Sequence, residues 1–419
     1  MFTTIFIYIF MFGLLVEFHE LGHYRSAKRN GVLVREFSIG YGPKLLSWYK
    51  HGTAYAVRLL PIGGFVRLAS ANDESPIQAG QILRLVLNDK GEVTVLDTRV
   101  DQLGEGLAFQ VDQYDLTDDL KISGYRLADN QYLTLHVLHS AYVIQKDGQR
   151  FQIAPRDTWR QSVGFWRRFR INIAGPMMNL LFALLAFTVL SLTNPNGISS
   201  NRPIISSVDN GQPAQKAGLK VGDTIKSIDG DKVSSTNEVT AALNKHSYGS
   251  TTIVVERNKK NYSFTLLPTT EKVGNINKRQ IGANVGFKTN FSDRLTGGIR
   301  ITVHNTVASI VVVYELLTHW TFGLNQVGGT ISIANATSDV ATNLSVFKLA
   351  QIFGNISITI AILSLVPLPP LDGGKILLDL WSKIFRRSLP QVTENIINIL
   401  GAGVILTVLI AVTTNDLLR

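Results

Sequence analysis

Hydrophobic positions along this chain fall into two kinds of block. Four blocks are continuous apolar runs: 2–16 (FTTIFIYIFMFGLLV), 171–193 (INIAGPMMNLLFALLAFTVLSLT), 352–368 (IFGNISITIAILSLVPL) and 396–413 (IINILGAGVILTVLIAVT). The second has the roughly 20 residues that a bilayer-spanning helix needs, and all four are read as transmembrane helices. The first lacks a basic leading segment and an A-x-A-like cleavage site, so it is read as a retained helix and not as a signal peptide. A fifth stretch, 307–317 (VASIVVVYELL), is short, contains Glu315 and is flanked by His304 and His319. It is expected to lie on the outer membrane surface as an amphipathic helix.

The other blocks alternate with the period of a strand. Residues 34–69, with Gly63-Gly64 as a bend, are expected to form a β-hairpin pressed into the membrane edge or against the helices. Residues 78–155 carry two hairpin signals, Asn88-Asp89-Lys90-Gly91 and Lys146-Asp147-Gly148-Gln149, and read as a small β-rich insert. His136 and His139 lie in it three residues apart; on a strand they face opposite sides and make a poor joint metal site. Residues 203–268 combine strand candidates (Ile204–Val208, Thr224–Ile228, TTIVVER, YSFTLLP) with Gly-containing turns and a helix-like piece, Asn237–Leu243. With Ala217-Gly218-Leu219 leading into Val221-Gly222-Asp223, this stretch resembles a bacterial PDZ domain. PDZ domains take up extended peptides by strand addition; the alternative is a spacer that screens by bulk alone.

Charge orients the runs. Arg25, Lys28, Arg29 and Arg35 follow the first run, Arg160, Arg167, Arg168 and Arg170 precede the second, and Lys375, Lys383, Arg386 and Arg387 separate the third from the fourth. All three clusters are cytoplasmic if the N-terminus starts outside. The expected fold is then a polytopic α-helical membrane protein with four transmembrane helices. It has a membrane-associated β-hairpin region, a cytoplasmic β-rich insert and an extracytoplasmic PDZ domain. Its segments are residues 1–30, 31–70, 71–165, 166–194, 195–290, 291–348, 349–378 and 379–419. A net charge of +10 over 419 residues also suits nucleic-acid binding, but the basic residues sit beside apolar runs, so lipid bilayer is the expected partner and nucleic acid is not. Cysteine is absent, which excludes disulfides, thiolate metal sites and cysteine nucleophiles.

Any metal must therefore be held by His, Asp or Glu. His19-Glu20-Leu21-Gly22-His23 is an H-E-x-x-H sequence at the end of the first run. On a helix the two histidines share a face and can reach one zinc ion, with Glu20 beside it to take a proton from water. Such a pattern arises by chance in roughly one chain in a hundred of this length, so context matters. A catalytic zinc needs a third protein ligand. Asp372, in Leu371-Asp372-Gly373-Gly374 after the third run, falls at the same expected depth as the histidines. An ordinary turn is the bland reading of that segment.

HELGH in a first span, Ala174-Gly175-Pro176-Met177-Met178-Asn179 opening a second, a PDZ-like domain and LDGG after a third together resemble the site-2 protease family. The RseP-type intramembrane proteases of bacteria are the nearest likeness, in their Gram-positive, single-PDZ form. Residues 31–44 and Pro61-Ile62-Gly63-Gly64-Phe65 also fit, so the resemblance spans nearly the whole chain. It implies a metalloendopeptidase that uses Zn2+, with His19, His23 and Asp372 as ligands and Glu20 as catalytic base. It implies Gly63, Gly64, Asn179 and Gly373 as candidate substrate-binding residues. The implied partners are transmembrane protein substrates already shortened by another protease, such as anti-sigma factors or signal-peptide remnants. A peptide ligand of the PDZ domain is a further implied partner. The implied location is a bacterial cell membrane, with the site near the cytoplasmic leaflet. Ser364 stands where the family usually has Asn, and Lys375 where it often has His. Two other classes remain: a non-catalytic scaffold presenting a PDZ domain, and a transporter with an intramembrane His/Asp path, for which no internal repeat is visible.

Overall fold

The computed structural model describes residues 2–71, 73, 75–99, 106–193, 203–245, 249–273, 276–286, 291–318, 346–387 and 389–417. The chain divides into two compact units, one holding residues 1–182, 306–345 and 355–419, the other residues 183–305 and 346–354.

In the first unit the apolar run and HELGH form one helix, α1 (Phe2–Arg29). Lys28 and Arg29 in its last turn suit the negative end of the helix dipole. Gly31, at φ +79°, stops the helix, while the Val32 amide returns to the Ala27 carbonyl. Two long strands follow, β1 (Val34–Lys50) and β2 (Thr53–Leu68), joined at His51-Gly52, both with positive φ. Residues 36–39 pair on one side with 64–67 and on the other with 54–57, and 54–57 also pair with 46–49. The two strands therefore wrap into a sheet of four segments whose outer members are 64–68 and 46–50. Val57 has partners on both sides, Ile39 and Leu46, so it lies on an inner segment of this sheet.

A six-stranded sheet comes next: β3 (Ile82–Leu87), β4 (Val93–Asp97), β5 (Leu107–Asp115), β6 (Lys121–Arg126), β7 (Tyr132–Ile144) and β8 (Arg150–Gln152), in the order β4-β3-β5-β6-β7-β8 with β4 also pairing β7. Its core is Leu83, Leu85, Leu96, Phe109, Ile122 and Val137, all fully buried. The two expected turns join β3 to β4 and β7 to β8. His136 and His139 both lie on β7 and have separate partners, Glu92 and Asp157. Helix α2 (Phe165–Thr193) carries Pro176 internally.

The second unit contains β9 (Ile205–Val208), α3 (Pro213–Lys216), β10 (Thr224–Ile228), β11 (Asp231–Lys232), α4 (Thr236–Lys245), β12 (Thr251–Arg257), β13 (Lys260–Leu266), β14 (Thr269–Val273), β15 (Ile276–Gln280) and β16 (Ala283–Val285). Strand β16 returns to pair with β9, so the domain closes beyond the residues whose alternation marks it in the sequence. Fully buried Asp223 accepts two hydrogen bonds at 2.6 Å from the half-buried Arg257 guanidinium. Burial pushes the Asp223 carboxyl up, but the Arg257 guanidinium and the Lys220 amide outweigh it and hold the group below the usual carboxylate range.

Among the described residues, three further helices follow α5 (Phe291–Thr318): α6 (Val346–Ser364), α7 (Asp372–Phe385) and α8 (Gln391–Leu417). Among the described residues, α2, residues 294–316 of α5 and residues 392–414 of α8 are long and apolar enough to cross a membrane, while the apolar part of α6 is the shorter Leu349–Ser364. The expectation of a short helix at 307–317 is thus corrected. Residues 291–306, less apolar but free of proline, continue the same helix, because backbone hydrogen bonding extends wherever φ and ψ allow it. His304 is exposed on α5, and His319 lies outside the described residues. Residues 372–385 form one helix, α7, which runs across the expected segment boundary at 378/379.

Because the Asp223 group is depressed in the folded state, its stabilisation is present at neutral pH and fades as pH falls through and below about 4. Asp223→Asn leaves the half-buried Arg257 with the Gly218 carbonyl but without its carboxylate and should cost about 2 kcal/mol. Hydrogen exchange of residues 203–286, corrected for intrinsic rates, should show lost protection in the variant and no extra acid sensitivity.

Candidate active site

Helix α1 sets His19 and His23 one turn apart, with their Nε2 atoms 3.1 Å from each other. Asp372, the first residue of α7, brings Oδ2 to 3.0 Å from His19 Nε2 and 3.1 Å from His23 Nε2. The three donors form a near-equilateral triangle. A point about 1 Å off its plane lies about 2.0 Å from all three, the length of a zinc bond to imidazole or carboxylate. This set is a group that could hold a metal ion.

The backbone explains how residues so far apart in sequence meet. Pro367, Pro369 and Pro370 cannot donate helical hydrogen bonds, so α6 ends and the chain folds back before α7 starts. A Cβ on Gly373 would lie 2.2 Å from the Leu365 carbonyl oxygen, and one on Gly374 would lie 2.4 Å from the Pro369 nitrogen. These two glycines let α7 start tight against the turn. Gly373 is therefore placed as a packing element of the Asp372 turn. On the facing side, a Cβ on Gly22 would lie 2.3 Å from the Ala174 carbonyl oxygen, and one on Gly175 would lie 2.4 Å from His23 Nε2 and 2.6 Å from His19 Nε2. Gly175 thus keeps clear the space onto which the donors converge.

Each donor is oriented by a further contact. His23 Nδ1–H donates to the Ile171 carbonyl oxygen at 2.8 Å, which leaves the Nε2 lone pair toward the triangle. Lys375 Nζ donates to Asp372 Oδ1 at 3.1 Å, leaving Oδ2 for the histidines. Asn179 is fully buried with its Nδ2 3.4 Å from His19 Nδ1, and its Oδ1 has no partner among the described residues. A His19 that offers Nε2 to a metal carries its proton on Nδ1, and this carboxamide oxygen is the acceptor that a half-turn of the amide supplies. Asp379, seven residues beyond Asp372, is buried and accepts from Arg160 Nη2 at 2.6 Å and Asn172 Nδ2 at 2.9 Å, with Arg168 at 3.4 Å. It ties α7 to the start of α2.

Glu20 is half-buried and interacts electrostatically with His23, His19, Lys375 and Asp372. Gly63 and Gly64 are not in this cluster. They seat β2 on α1, where a Cβ on Gly64 would lie 2.2 Å from Glu17 Oε1 and one on Gly63 would lie 3.2 Å from Val16. Ser364 donates to its own helix, at the Ile360 carbonyl oxygen, and Asn355 is exposed on α6. Sequence reasoning overlooked Gly175 and Asp379. The signal for Gly175 was its place in the Ala-Gly-Pro opening of α2; for Asp379 it was the seven-residue spacing from Asp372, which returns to the same helix face.

Residues 7–408 match peptidase family M50. The chain belongs to this family. It is 35% identical over 99% of its length to Probable protease eep of Enterococcus faecalis, 99% of which is covered. It is 33% identical to the Regulator of sigma-W protease RasP of Bacillus subtilis, and 31% identical to the Zinc metalloprotease RasP of Bacillus licheniformis. Each of these comparisons covers 100% of this chain and 99% of the relative. Among solved structures, a PDZ domain of an SdrC-like protein from Listeria monocytogenes matches 21% of the chain at 21% identity, with a TM-score of 0.18. The site-2 protease resemblance thus stands, and the protein is a zinc metalloendopeptidase of the membrane.

Gly175→Ala should abolish stoichiometric zinc binding, since the new methyl group would occupy the space between the two Nε2 atoms. Metal analysis of the purified variant checks this, with retained folding read from its thermal transition.

Proposed function

We propose that this zinc protease hydrolyses peptide bonds within membrane-spanning segments of single-span proteins already shortened by another protease. We assign His19, His23 and Asp372 as its zinc ligands and Glu20 as its base. The observation that carries the reading is the convergence of His19 Nε2, His23 Nε2 and Asp372 Oδ2 on one point, with Glu20 alongside. Zinc held by His19, His23 and Asp372 would polarise a carbonyl and lower the pKa of a bound water toward neutrality. Glu20 accepts the water proton and delivers it to the leaving amine. Lys375 and the Ile171 carbonyl keep Asp372 and His23 oriented through the cycle.

A helical substrate hides its carbonyls in its own hydrogen bonds, so it must unwind to be cut. The sheet of β1 and β2 can receive the extended segment along an outer member, 64–68 or 46–50. The positive-inside pattern supports an active site near the cytoplasmic leaflet and residues 203–286 outside. There a PDZ-type domain would bind a peptide end or exclude substrates with bulky external parts. Anti-sigma factors and signal-peptide remnants fit this requirement. Membership of a zinc peptidase family and an intact donor set argue against the scaffold alternative.

Purified full-length chain in detergent should cleave a model single-span substrate and contain zinc. Glu20→Gln should keep the zinc and lose about 10²–10⁴-fold in rate; undiminished cleavage by this variant would remove Glu20 from the chemistry. Deleting residues 203–286 should allow substrates with intact external domains to be cut, and unchanged discrimination would sink the gating role.

A further inference from the structure

A groove of about 620 Å³ lies between α1 and α2, lined by Gly22, Arg25, Arg29, Arg170, Met177 and Leu181 among others. Its volume is within the range of ligand pockets, about 300–1,000 Å³. The two helices run antiparallel here: Phe18 meets Phe182, Gly22 meets Ala174, and Ser26 Oγ donates to the Arg170 carbonyl oxygen. Gly22, Arg25 and Arg29 share one face of α1, and Arg170, Met177 and Leu181 share one face of α2. One end of the groove therefore carries three guanidinium groups, and the other is apolar.

Two features identify an occupant. The three arginines are exposed, and none forms an ion pair among the described residues. The apolar end is also open, with Met177 51% and Leu181 47% exposed. From Arg170 to Leu181 the helix rises about 16 Å at 1.5 Å per residue. Half of a hydrocarbon core of about 30 Å is about 15 Å. The groove thus spans one leaflet, positive at the headgroup level and apolar along the depth of a single acyl chain.

We infer that this groove is a binding site for an anionic glycerophospholipid, with its phosphodiester held by Arg25, Arg29 and Arg170 and one acyl chain lying along Met177 and Leu181. Basic pockets between membrane helices recognise anionic headgroups by the same physics. The lipid would bridge α1 and α2 directly beside the pair that carries His23 and Gly175, so its presence also clamps the helices that form the active site. The inference rests on α1 and α2 lying in a membrane and not on the roles of the zinc ligands.

The test uses full-length protein in detergent, washed free of lipid and titrated with phosphatidylglycerol, phosphatidylcholine or inorganic phosphate, with bound lipid counted by native mass spectrometry. Phosphatidylglycerol should be retained, and phosphatidylcholine and phosphate should not. The triple variant Arg25→Gln, Arg29→Gln, Arg170→Gln should lose about a hundredfold in phosphatidylglycerol affinity. A control removing three charges elsewhere, Arg167→Gln, Arg386→Gln and Arg387→Gln, should lose none. Met177→Trp, which fills the apolar end and keeps every charge, should also lose the lipid. Equal retention of phosphatidylcholine, equal binding of phosphate alone, or equal losses in the triple variant and the control would each overturn the proposal. So would unchanged lipid binding in the triple variant accompanied by a raised KM for substrate, which would make the groove a substrate contact.

Discussion

Helices α1 and α2 approach so closely at Gly22 and Gly175 that no larger residue fits at either position, and the rest of the candidate site depends on this contact. Only at this separation does His23 Nδ1 reach the Ile171 carbonyl, and only at this separation does Asn179 reach His19. A polar atom removed from water costs free energy unless it is paired. In a membrane helix that cost is sharper, and intramembrane His and Asp are tolerated mainly where they meet one another. Small residues at the contact make such a meeting sterically feasible.

Asp372 reaches the pair from the opposite end of the chain, and its position is fixed twice. The glycines beside it hold α7 against the proline-rich turn, and Asp379 holds the same helix to Arg160 and Asn172. A carboxylate buried with two guanidinium groups and a carboxamide is costly to disrupt from either side, because whichever partner remains is left desolvated. The network therefore acts as a positional anchor for α7, and through it for the Asp372 oxygen that faces the histidines. Lys375 complements this by occupying the other carboxylate oxygen.

The surface around the site is apolar where a soluble protein would be polar. Leu45, Leu46, Trp48, Leu59 and Ile62 on the hairpin are exposed, as are Leu377, Trp381, Ile384 and Phe385 on α7. Exposed apolar area on this scale is a liability in water. In a bilayer it is a solvated surface, and aromatic groups such as Trp48 and Trp381 suit the interface. The same principle explains why burial alone is a poor guide to importance here: lipid-facing leucines are exposed, and the glycines at the helix contact have no side chain to bury.

Much of this protein was legible in its sequence. Apolar runs and strand alternation are local properties, and they located α1, α2, α6, α8, the hairpin and the turns of the β-rich insert. HELGH and the accompanying motifs identified the peptidase family and its zinc chemistry, because a zinc site demands particular residue types at particular spacing. The full length of α5 was not legible, because helical hydrogen bonding continues through residues whose composition is not distinctive. Nor was the closure of the second domain by β16, a strand of three residues paired to β9 far upstream. The wrapping of β1 and β2 into four segments, the space kept by Gly175, the anchor at Asp379 and the groove between α1 and α2 likewise needed the folded chain. These are properties of distance between residues remote in sequence, and only tertiary packing sets them.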